Sequence, residues 1–186
     1  MPSNITAALV FILNTVAQLY LFVLLLRLVL PWVGADFRNP IAQGIMKITS
    51  PVVVPLRRVI PPFGRVDTAT VLVAYIIQYL LILLILLIYG QRAGFLDIAV
   101  TAVVDLVLLT LRLFVFAIVI RVILSWISPG TYNPATALIH SLTDRVLRPF
   151  RRFIPPLGGL DLSPLAAIIL ITALTIVIAG FKPLPI

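Results

Sequence analysis

Residues 27–67 read RLVLPWVGADFRNPIAQGIMKITSPVVVPLRRVIPPFGRVD, and residues 121–161 repeat the pattern as RVILSWISPGTYNPATALIHSLTDRVLRPFRRFIPPLGGLD. A constant offset of 94 aligns the two stretches without a gap, and 16 of the 41 positions are identical. Such self-similarity at one fixed spacing is typical of a tandem duplication. We therefore predict two repeats, 1–94 and 95–186, and we call the two stretches the first and second motif copies.

Both motif copies carry the same signals for a helix and for the turn that follows it. An asparagine followed by a proline is typical of a helix start, because asparagine caps free backbone N–H groups and proline lacks one to satisfy. The later Ile-Pro-Pro and glycine predict a turn that leads into the next apolar run. The residues assigned to this structural motif are Asn39, Pro40, Pro61, Pro62, Gly64 and Asp67 in the first copy and Asn133, Pro134, Pro155, Pro156, Gly158 and Asp161 in the second.

The composition excludes an ordinary soluble domain. Hydrophobic residues make up 62% of the chain and charged residues only 11%, with a mean hydropathy of +1.21. Four apolar runs are long enough to cross a hydrocarbon core, which needs about 20 residues. The first run lacks a basic leader and a small-residue cleavage site, so we expect it to be retained. The predicted fold is an all-α membrane protein with spans at 5–30, 70–89, 98–127 and 164–180, joined within each repeat by the amphipathic loops 31–67 and 128–163.

Lysine and arginine are concentrated in these two loops. The 31–67 loop holds five and the 128–163 loop holds four, whereas the 90–97 connection and the chain after Gly180 hold one each. Because basic loops tend to stay on the cytoplasmic side, we predict that both motif loops are cytoplasmic and both termini lie outside. Two spans per repeat give the repeats the same orientation, so we expect parallel repeats related by an axis along the membrane normal.

Each motif loop also predicts an amphipathic helix with a basic face. In the second copy, apolar residues recur at three- and four-residue steps from Ala135 to Phe153, and the arginines fall largely away from them. This pattern is typical of a segment in the membrane interface, where basic side chains are attracted to anionic headgroups. The residues assigned to lipid or partner binding are Arg57, Arg58, Arg145, Arg148, Arg151, Arg152, Trp32, Trp126, Arg27 and Arg121.

Two of these arginines admit more than one interpretation. Trp32 and Trp126 fall where the first and third spans leave the bilayer, which is the usual place for tryptophan. Arg27 and Arg121 lie about a turn and a half deeper. They can anchor the spans by extending their side chains to the headgroup layer, or contact a lipid phosphate or an internal carboxylate. The sequence leaves both interpretations open.

Polar residues occupy the middle of the apolar runs. Gln18 is equivalent to Arg112 under the offset of 94, and Gln78 is equivalent to Thr172, which suggests a polar layer at the bilayer centre. Asp105 lies on the face of Arg112 but about 10 Å away along the helix, so each needs another partner, such as Asn14, Gln18, Gln78 or water. A charge at this depth costs at least ~2.5 kcal/mol. Such residues indicate either an ion or proton pathway or hydrogen bonding between helices.

Several kinds of chemistry lack the residues they need. The chain has no cysteine, which excludes disulfides, thiolate nucleophiles and cysteine-ligated metals. His140 is the only histidine, and it has no counterpart in the first motif copy, so we assign it neither a catalytic nor a haem-binding role. No Ser-His-Asp set, P-loop or dinucleotide-binding glycine loop occurs. We therefore predict no enzymatic activity, metal site or cofactor.

The double motif W-x6-NP-x8-T-x5-P-x-RR-x-IPP-x-G-x2-D, flanked by apolar runs, resembles the YggT (YlmG-like) family of bacterial and plastid membrane proteins. The resemblance covers essentially the whole chain. It implies a multi-pass inner-membrane protein without established enzymatic activity. It also implies links to osmotic-stress tolerance and ion uptake and, for plastid relatives, to nucleoid or division organisation and covalent haem attachment to a photosynthetic cytochrome.

Two hypotheses of function remain. The favoured one is a membrane scaffold or assembly factor that binds anionic lipids and a membrane-protein partner or second copy, because the duplication retained the motif loops better than the spans. The alternative is a small ion or solute transporter or channel component that uses the mid-membrane polar residues. Four helices enclose little pore volume, so this alternative requires oligomerisation. Nucleic acid is disfavoured as a partner, since the basic residues flank apolar spans without interleaved exposed aromatics.

Overall fold

The computed structural model describes residues 4–64, 66–127, 133–154 and 161–184. Within these residues the chain is helical and contains no extended strand. Its helices are α1 (Asn4–Val33), α2 (Pro40–Arg57), α3 (Thr68–Ile88), α4 (Phe95–Ile127), α5 (Pro134–Phe153) and α6 (Ser163–Ala179).

Three of these helices, α1, α3 and α4, are long and apolar enough to cross a membrane. The fourth predicted span corresponds to α6, whose 17 residues lie at the short end of the range for a transmembrane helix. Each predicted span ends within three residues of the corresponding helix end. The all-helical class is therefore confirmed, while the crossing by α6 stays a prediction.

Helices α1 and α4 are longer than the helices that follow the motif copies. They have 30 and 33 residues, or about 45 and 50 Å, whereas α3 has 21 residues, or about 32 Å. The start of α3 packs beside Leu24 of α1, where Val53 of α2 and Val73 of α3 join a buried cluster. The end of α1 therefore extends beyond the start of α3.

The second repeat builds the same cluster at equivalent positions. Ile118 of α4, Leu147 of α5 and Ala167 of α6 lie at an offset of 94 from the three residues of the first cluster and pack together in the same way. In both repeats the motif helix, α2 or α5, therefore runs back along the end of the preceding long helix. A third cluster joins the two repeats and contains residues of α1, α2, α4 and α5. Its buried residues include Val29, Leu30, Ala42, Ile45, Ala117, Leu138 and Leu142.

The contacts between helices are not fully symmetric. Within the repeats, α1 packs on α3 in the same way that α4 packs on α6. Between the repeats, α3 packs on α4, but the described residues of α6 and α1 make no equivalent contact. Helix α6 therefore lies at one edge of the bundle. Helices α1 and α4 contact each other and also border a cavity.

The predicted helix starts are present in both motif copies. Asn39 accepts a hydrogen bond from the backbone N–H of Ile41 at the start of α2. Asn133 accepts one from the N–H of Thr136, whose hydroxyl in turn accepts from the N–H of Asn133. Both asparagines therefore cap helices, as the Asn-Pro pairs predict.

The turn after α2 is also formed as predicted. Pro61 and Pro62 follow the helix, and Gly64 adopts a φ of 60°, a conformation that suits glycine. Phe63 and Val66 exchange backbone hydrogen bonds across this turn at 3.0 and 3.1 Å. The equivalent Pro155, Pro156 and Gly158 of the second copy lie outside the described residues.

The buried face of α5 differs from the predicted apolar stripe. Ala135 and Phe153, which begin and end the predicted stripe, are exposed. The buried apolar residues are Leu142, which belongs to the predicted stripe, and Leu138 and Leu147, which do not. The buried face is determined by the packing of α5 against α1, α4 and α6. The exposed apolar ends are compatible with a helix in the membrane interface, which stays a prediction.

Candidate functional sites

The first site is a buried polar junction in the first repeat, where α1, α2 and the start of α3 meet. The side chain of Arg27 in α1 is only 2% exposed. Its Nη1 donates to Thr49 Oγ1 at 2.8 Å and to Ser50 Oγ at 3.2 Å. Its Nε lies 3.6 Å from Asp67 Oδ2. Anchoring by extension to the headgroup layer is therefore wrong for Arg27, because its charge is enclosed by α2 and matched by an internal carboxylate.

Asp67 is the carboxylate that holds this junction together. Arg57 Nη2 donates to its Oδ2 at 2.8 Å, and Thr70 Oγ1 donates to the same oxygen at 2.8 Å. Burial favours the neutral acid, but the hydrogen bonds from Thr70 and Arg57 and the charges of both arginines outweigh it. The pKa of Asp67 is therefore lowered below its usual range. We call Arg27, Thr49, Arg57 and Asp67 the first junction.

The second repeat contains an equivalent junction with an additional carboxylate. Arg121 Nη1 donates to Thr143 Oγ1 at 2.7 Å, as Arg27 does to Thr49. It also donates to Asp144 Oδ1 at 2.6 Å, where the first repeat has Ser50. We call this second junction the set Arg121, Thr143, Asp144, Arg151 and Asp161.

The second junction is more open to solvent than the first. Arg151 Nε donates to Asp161 Oδ2 at 3.0 Å, but that carboxylate is 42% exposed, compared with 8% for Asp67. Burial raises the pKa of Asp144 and Asp161, yet hydrogen bonds to the carboxylates, from Arg121 for Asp144 and from Ser163 for Asp161, hold both below the usual range. The first junction is thus the tighter of two equivalent ion-pair networks.

These contacts divide the predicted binding arginines into two groups. Arg57 and Arg151, the first arginine of each Arg-Arg pair, are held in the junctions. The second arginine of each pair is exposed and makes no ion pair or hydrogen bond with the described residues, and the same is true of two arginines on α5. We call these four residues the arginine face: Arg58, Arg145, Arg148 and Arg152.

Exposed apolar side chains accompany the arginine face. Val59 is 81% exposed and the equivalent Phe153 is 84% exposed, each directly after an Arg-Arg pair. Phe63 at the turn is 82% exposed. Trp32 and Trp126 are also exposed, as expected for tryptophans at a membrane interface. Cationic and apolar groups are therefore presented side by side at the end of each motif helix.

An apolar groove of about 370 Å³ lies next to this surface, between the two repeats. It is lined by α1, α4 and α5, and its side chains include Trp32, Phe114 and Arg145. Arg145 is the only charged residue among its described lining residues. A groove of this kind suits an acyl chain whose headgroup lies near a cation.

The mid-membrane polar residues form a hydrogen-bonded chain. Gln18 Nε2 donates to Gln78 Oε1 at 3.3 Å, and Gln78 Nε2 donates to Asp105 Oδ2 at 2.9 Å. The other oxygen of Asp105 lies 3.0 Å from Lys182 Nζ, which follows α6. The structure thus brings the predicted residues Gln18, Gln78 and Asp105 together, and Lys182 extends this chain of polar contacts.

This chain borders a cavity of about 990 Å³, which we call the polar cavity. It is lined by α1, α3, α4, the last residue of α6 and the segment after it. The cavity reaches from Gln18 and Arg112 to Arg92, at the opposite end of the bundle from the motif helices. Thr172 does not line it. That residue lies on the exposed face of α6, so the structure does not join it to the other predicted mid-membrane residues. The reason is that α6 packs on α4 and α5 but not on α1.

The site residues assigned from the sequence omitted several participants, including the shared Thr49 and Thr143 and also Asp144 and Lys182. Asp144 replaces Ser50 directly after the shared threonine, so the difference between the two motif copies was a usable signal. Lys182 carries no such signal, because its pairing with Asp105 depends on the packing of α6 against α4. His140 is exposed, and the described residues contain no group of three potential metal ligands.

The fold and these sites define a helical membrane protein with two equivalent polar junctions. The sequence model of the CCB3/YggT family matches residues 6–88 and again residues 100–181, so the chain belongs to the CCB3/YggT family. This finding confirms the resemblance that the double motif indicates.

Curated relatives cover most of the chain. An uncharacterized protein of Pseudomonas aeruginosa is 40% identical over 166 residues, which is 88% of this chain and 84% of that protein. The uncharacterized protein YggT of Escherichia coli K12 is 38% identical over 172 residues, which is 92% of this chain and 89% of that protein. The chloroplastic YlmG homolog protein 2 of Arabidopsis thaliana is 41% identical over 68 residues, which is 35% of this chain and 26% of that protein. No solved structure matches this chain.

Proposed function

We propose that this protein is a non-enzymatic, multi-pass inner-membrane scaffold whose two motif helices bind anionic lipid headgroups at the cytoplasmic face and support tolerance of osmotic stress. The observation that carries the proposal is the division of the Arg-Arg pairs. Arg57 and Arg151 neutralise carboxylates inside the junctions. Arg58 and Arg152 remain exposed beside exposed apolar side chains.

The charge of the arginine face is large enough to matter for lipid binding. Each basic side chain near an anionic membrane surface contributes about 1 kcal/mol, so four contribute about 4 kcal/mol. Val59 and Phe153 add apolar area that can enter the boundary between headgroups and acyl chains. The apolar groove beside Arg145 gives one lipid a place for its chain. Rigid junctions behind the arginines keep both motif helices in position for a membrane-protein partner or a second copy.

Complementation with charge-reversed variants tests this proposal. In a bacterium lacking its own family member, Arg58→Glu/Arg152→Glu should fail to restore growth at high osmolarity although the protein still inserts. The control Arg38→Glu/Lys47→Glu changes the net charge equally at exposed positions of the first motif copy outside the arginine face, and it should complement. Full complementation by the first variant would refute a role for the arginine face.

A second candidate function is ion or solute transport, which the polar cavity favours. The Gln18–Gln78–Asp105 chain lies along this cavity, so polar groups line a path into the bundle. Flux through the purified protein in liposomes, compared with Arg112→Leu, tests this candidate. Flux that Arg112→Leu abolishes would support it, and tight vesicles would exclude it for the chain alone.

A further inference from the structure

The polar cavity has more positive than negative charge. Its described lining residues include the cations Arg92, Arg112 and Lys182 and a single carboxylate, Asp105. Asp105 is already matched, because Lys182 Nζ lies 3.0 Å from its Oδ1 and Gln78 donates to its Oδ2. Two guanidinium groups are therefore left without a carboxylate among the described lining residues.

Of these two groups, Arg112 has the greater need for an anionic partner, because it lies deeper in the bundle. It is near the middle of α4, a helix of 33 residues, and its side chain is exposed to the cavity. It makes no hydrogen bond or ion pair with the described residues. A cation within a transmembrane helix normally pairs with an opposite charge or faces a cavity through which a ligand passes.

We infer that the polar cavity binds an anionic ligand through a phosphate or carboxylate group held by Arg112, while Arg92 lies at the outer end of the same cavity as a separate cation. Guanidinium groups suit these anions because their N–H donors form paired hydrogen bonds with two oxygens. The exposed side chain of Asn14 supplies a further amide donor along the cavity. The pairing of Asp105 with Lys182 removes the charge that would otherwise repel an anion.

The shape of the cavity indicates what else the ligand carries. A volume of about 990 Å³ is far larger than a phosphate ion needs and lies at the upper end of the range for small-molecule sites. Leu81, Ile85 and Leu108 line the same space and offer apolar contacts. The site thus fits an organic anion with an apolar part, which can be a soluble solute or the headgroup region of an anionic phospholipid.

This inference assigns a ligand class to the cavity of the second candidate function, but it does not require transport. A bound anion can have a purely structural role, so the measurement of anion binding and the measurement of flux test the two hypotheses independently. Flux without Arg112-dependent anion binding would refute only the inference, whereas binding without flux would refute only transport.

The test measures binding of two defined probes to the full chain. In the first arm, protein in nanodiscs of zwitterionic phosphatidylcholine is titrated with inorganic phosphate by calorimetry. In the second arm, protein in neutral detergent is titrated with phosphatidylglycerol, and the bound lipids are counted by native mass spectrometry. Each arm compares wild type, Arg112→Gln, Arg112→Lys and the control Arg38→Gln, which removes one exposed arginine outside both the polar cavity and the arginine face.

We expect at least one probe to bind wild type and Arg38→Gln with similar affinity and to bind Arg112→Gln at least tenfold more weakly. The arm that shows this loss identifies a solute or a lipid as the source of the anion. Arg112→Lys, which keeps the charge but loses the paired N–H donors, carries the test if Arg112→Gln fails to fold, and it should bind the probe more weakly than wild type. Equal binding by all variants, or no binding of either probe to wild type, would overturn the inference.

Discussion

Replacement of Asp67 by asparagine should destabilise the fold far more than the same replacement at Asp161, although the two residues occupy the same position of the motif. Asp67→Asn removes the carboxylate that faces Arg27, whose side chain is 2% exposed. Removing one partner of a buried ion pair costs about 3–5 kcal/mol, since the remaining charge is left unmatched. Arg27 keeps its bonds to Thr49 and Ser50, so we expect a loss near 3 kcal/mol in the free energy of unfolding, at the lower end of that range.

The matched change in the second repeat breaks a more exposed pair. Asp161 and Arg151 are 42% and 39% exposed, and pairs of this kind contribute about 0.2–1 kcal/mol. Asp144 also remains within 3.4 Å of Arg151 after the change. The two variants should therefore differ by about 2 kcal/mol or more.

Unfolding by sodium dodecyl sulfate in mixed micelles measures this difference. Trp32 and Trp126 lie near the two junctions and provide the fluorescence signal. Wild type, Asp67→Asn and Asp161→Asn are compared under one set of conditions. Equal losses, or a larger loss for Asp161→Asn, would show that burial of Arg27 does not govern the energetics of the first junction.

Two further predictions use the same unfolding assay. Because Asp67, Asp144 and Asp161 have lower pKa values in the folded chain than in the unfolded chain, their stabilising contribution is present above pH of about 4 and is lost as pH falls through the folded-state pKa values. Wild type should therefore lose more stability on acidification than Asp67→Asn, and parallel pH profiles would contradict this. Asn39→Ala should cost about 1 kcal/mol for the lost helix cap. The loss of stability for Asn39→Ala should be somewhat larger than for Asn133→Ala, because the Asn39 amide also donates to the Pro134 carbonyl of the other repeat at 2.6 Å. A smaller loss of stability for Asn39→Ala than for Asn133→Ala would show that this hydrogen bond adds nothing.

Local signals in the sequence predicted the helices well. The Asn-Pro pairs predicted where α2 and α5 begin, and the apolar runs predicted the long helices to within three residues at each end. These features depend on residues that are close in the chain, such as a cap and the N–H groups that follow it. The offset of 94 also predicted which residues of the two repeats would have equivalent positions.

The junctions depend on distant parts of the chain, and the sequence could not specify them. Arg27 and Asp67 are 40 positions apart, and their contact requires α2 to run back along α1 and the turn at Gly64 to return the chain. The periodicity of α2 indicates a helix but does not identify its neighbours. For the same reason, a lone arginine near the end of a span suggested side-chain extension to the headgroups, although it is enclosed.

The two repeats have diverged where they meet other parts of the bundle. Gln78 of α3 hydrogen-bonds across to Asp105 of α4, whereas the equivalent Thr172 of α6 is exposed. The duplication therefore predicted equivalent residues correctly but not equivalent environments, since α3 has a neighbour that α6 lacks.

Lipid binding by the arginine face is the central claim, and competition for anionic lipid tests it most directly. Protein in mixed micelles of phosphatidylglycerol and phosphatidylcholine is analysed by native mass spectrometry for wild type, Arg58→Glu/Arg152→Glu and the control Arg38→Glu/Lys47→Glu. Reversing one cation near an anionic lipid costs about 2 kcal/mol, so the first variant should bind phosphatidylglycerol at least tenfold more weakly, while the control stays close to wild type. Equal retention of phosphatidylglycerol by all three proteins, or an equal loss in both variants, would contradict the claim.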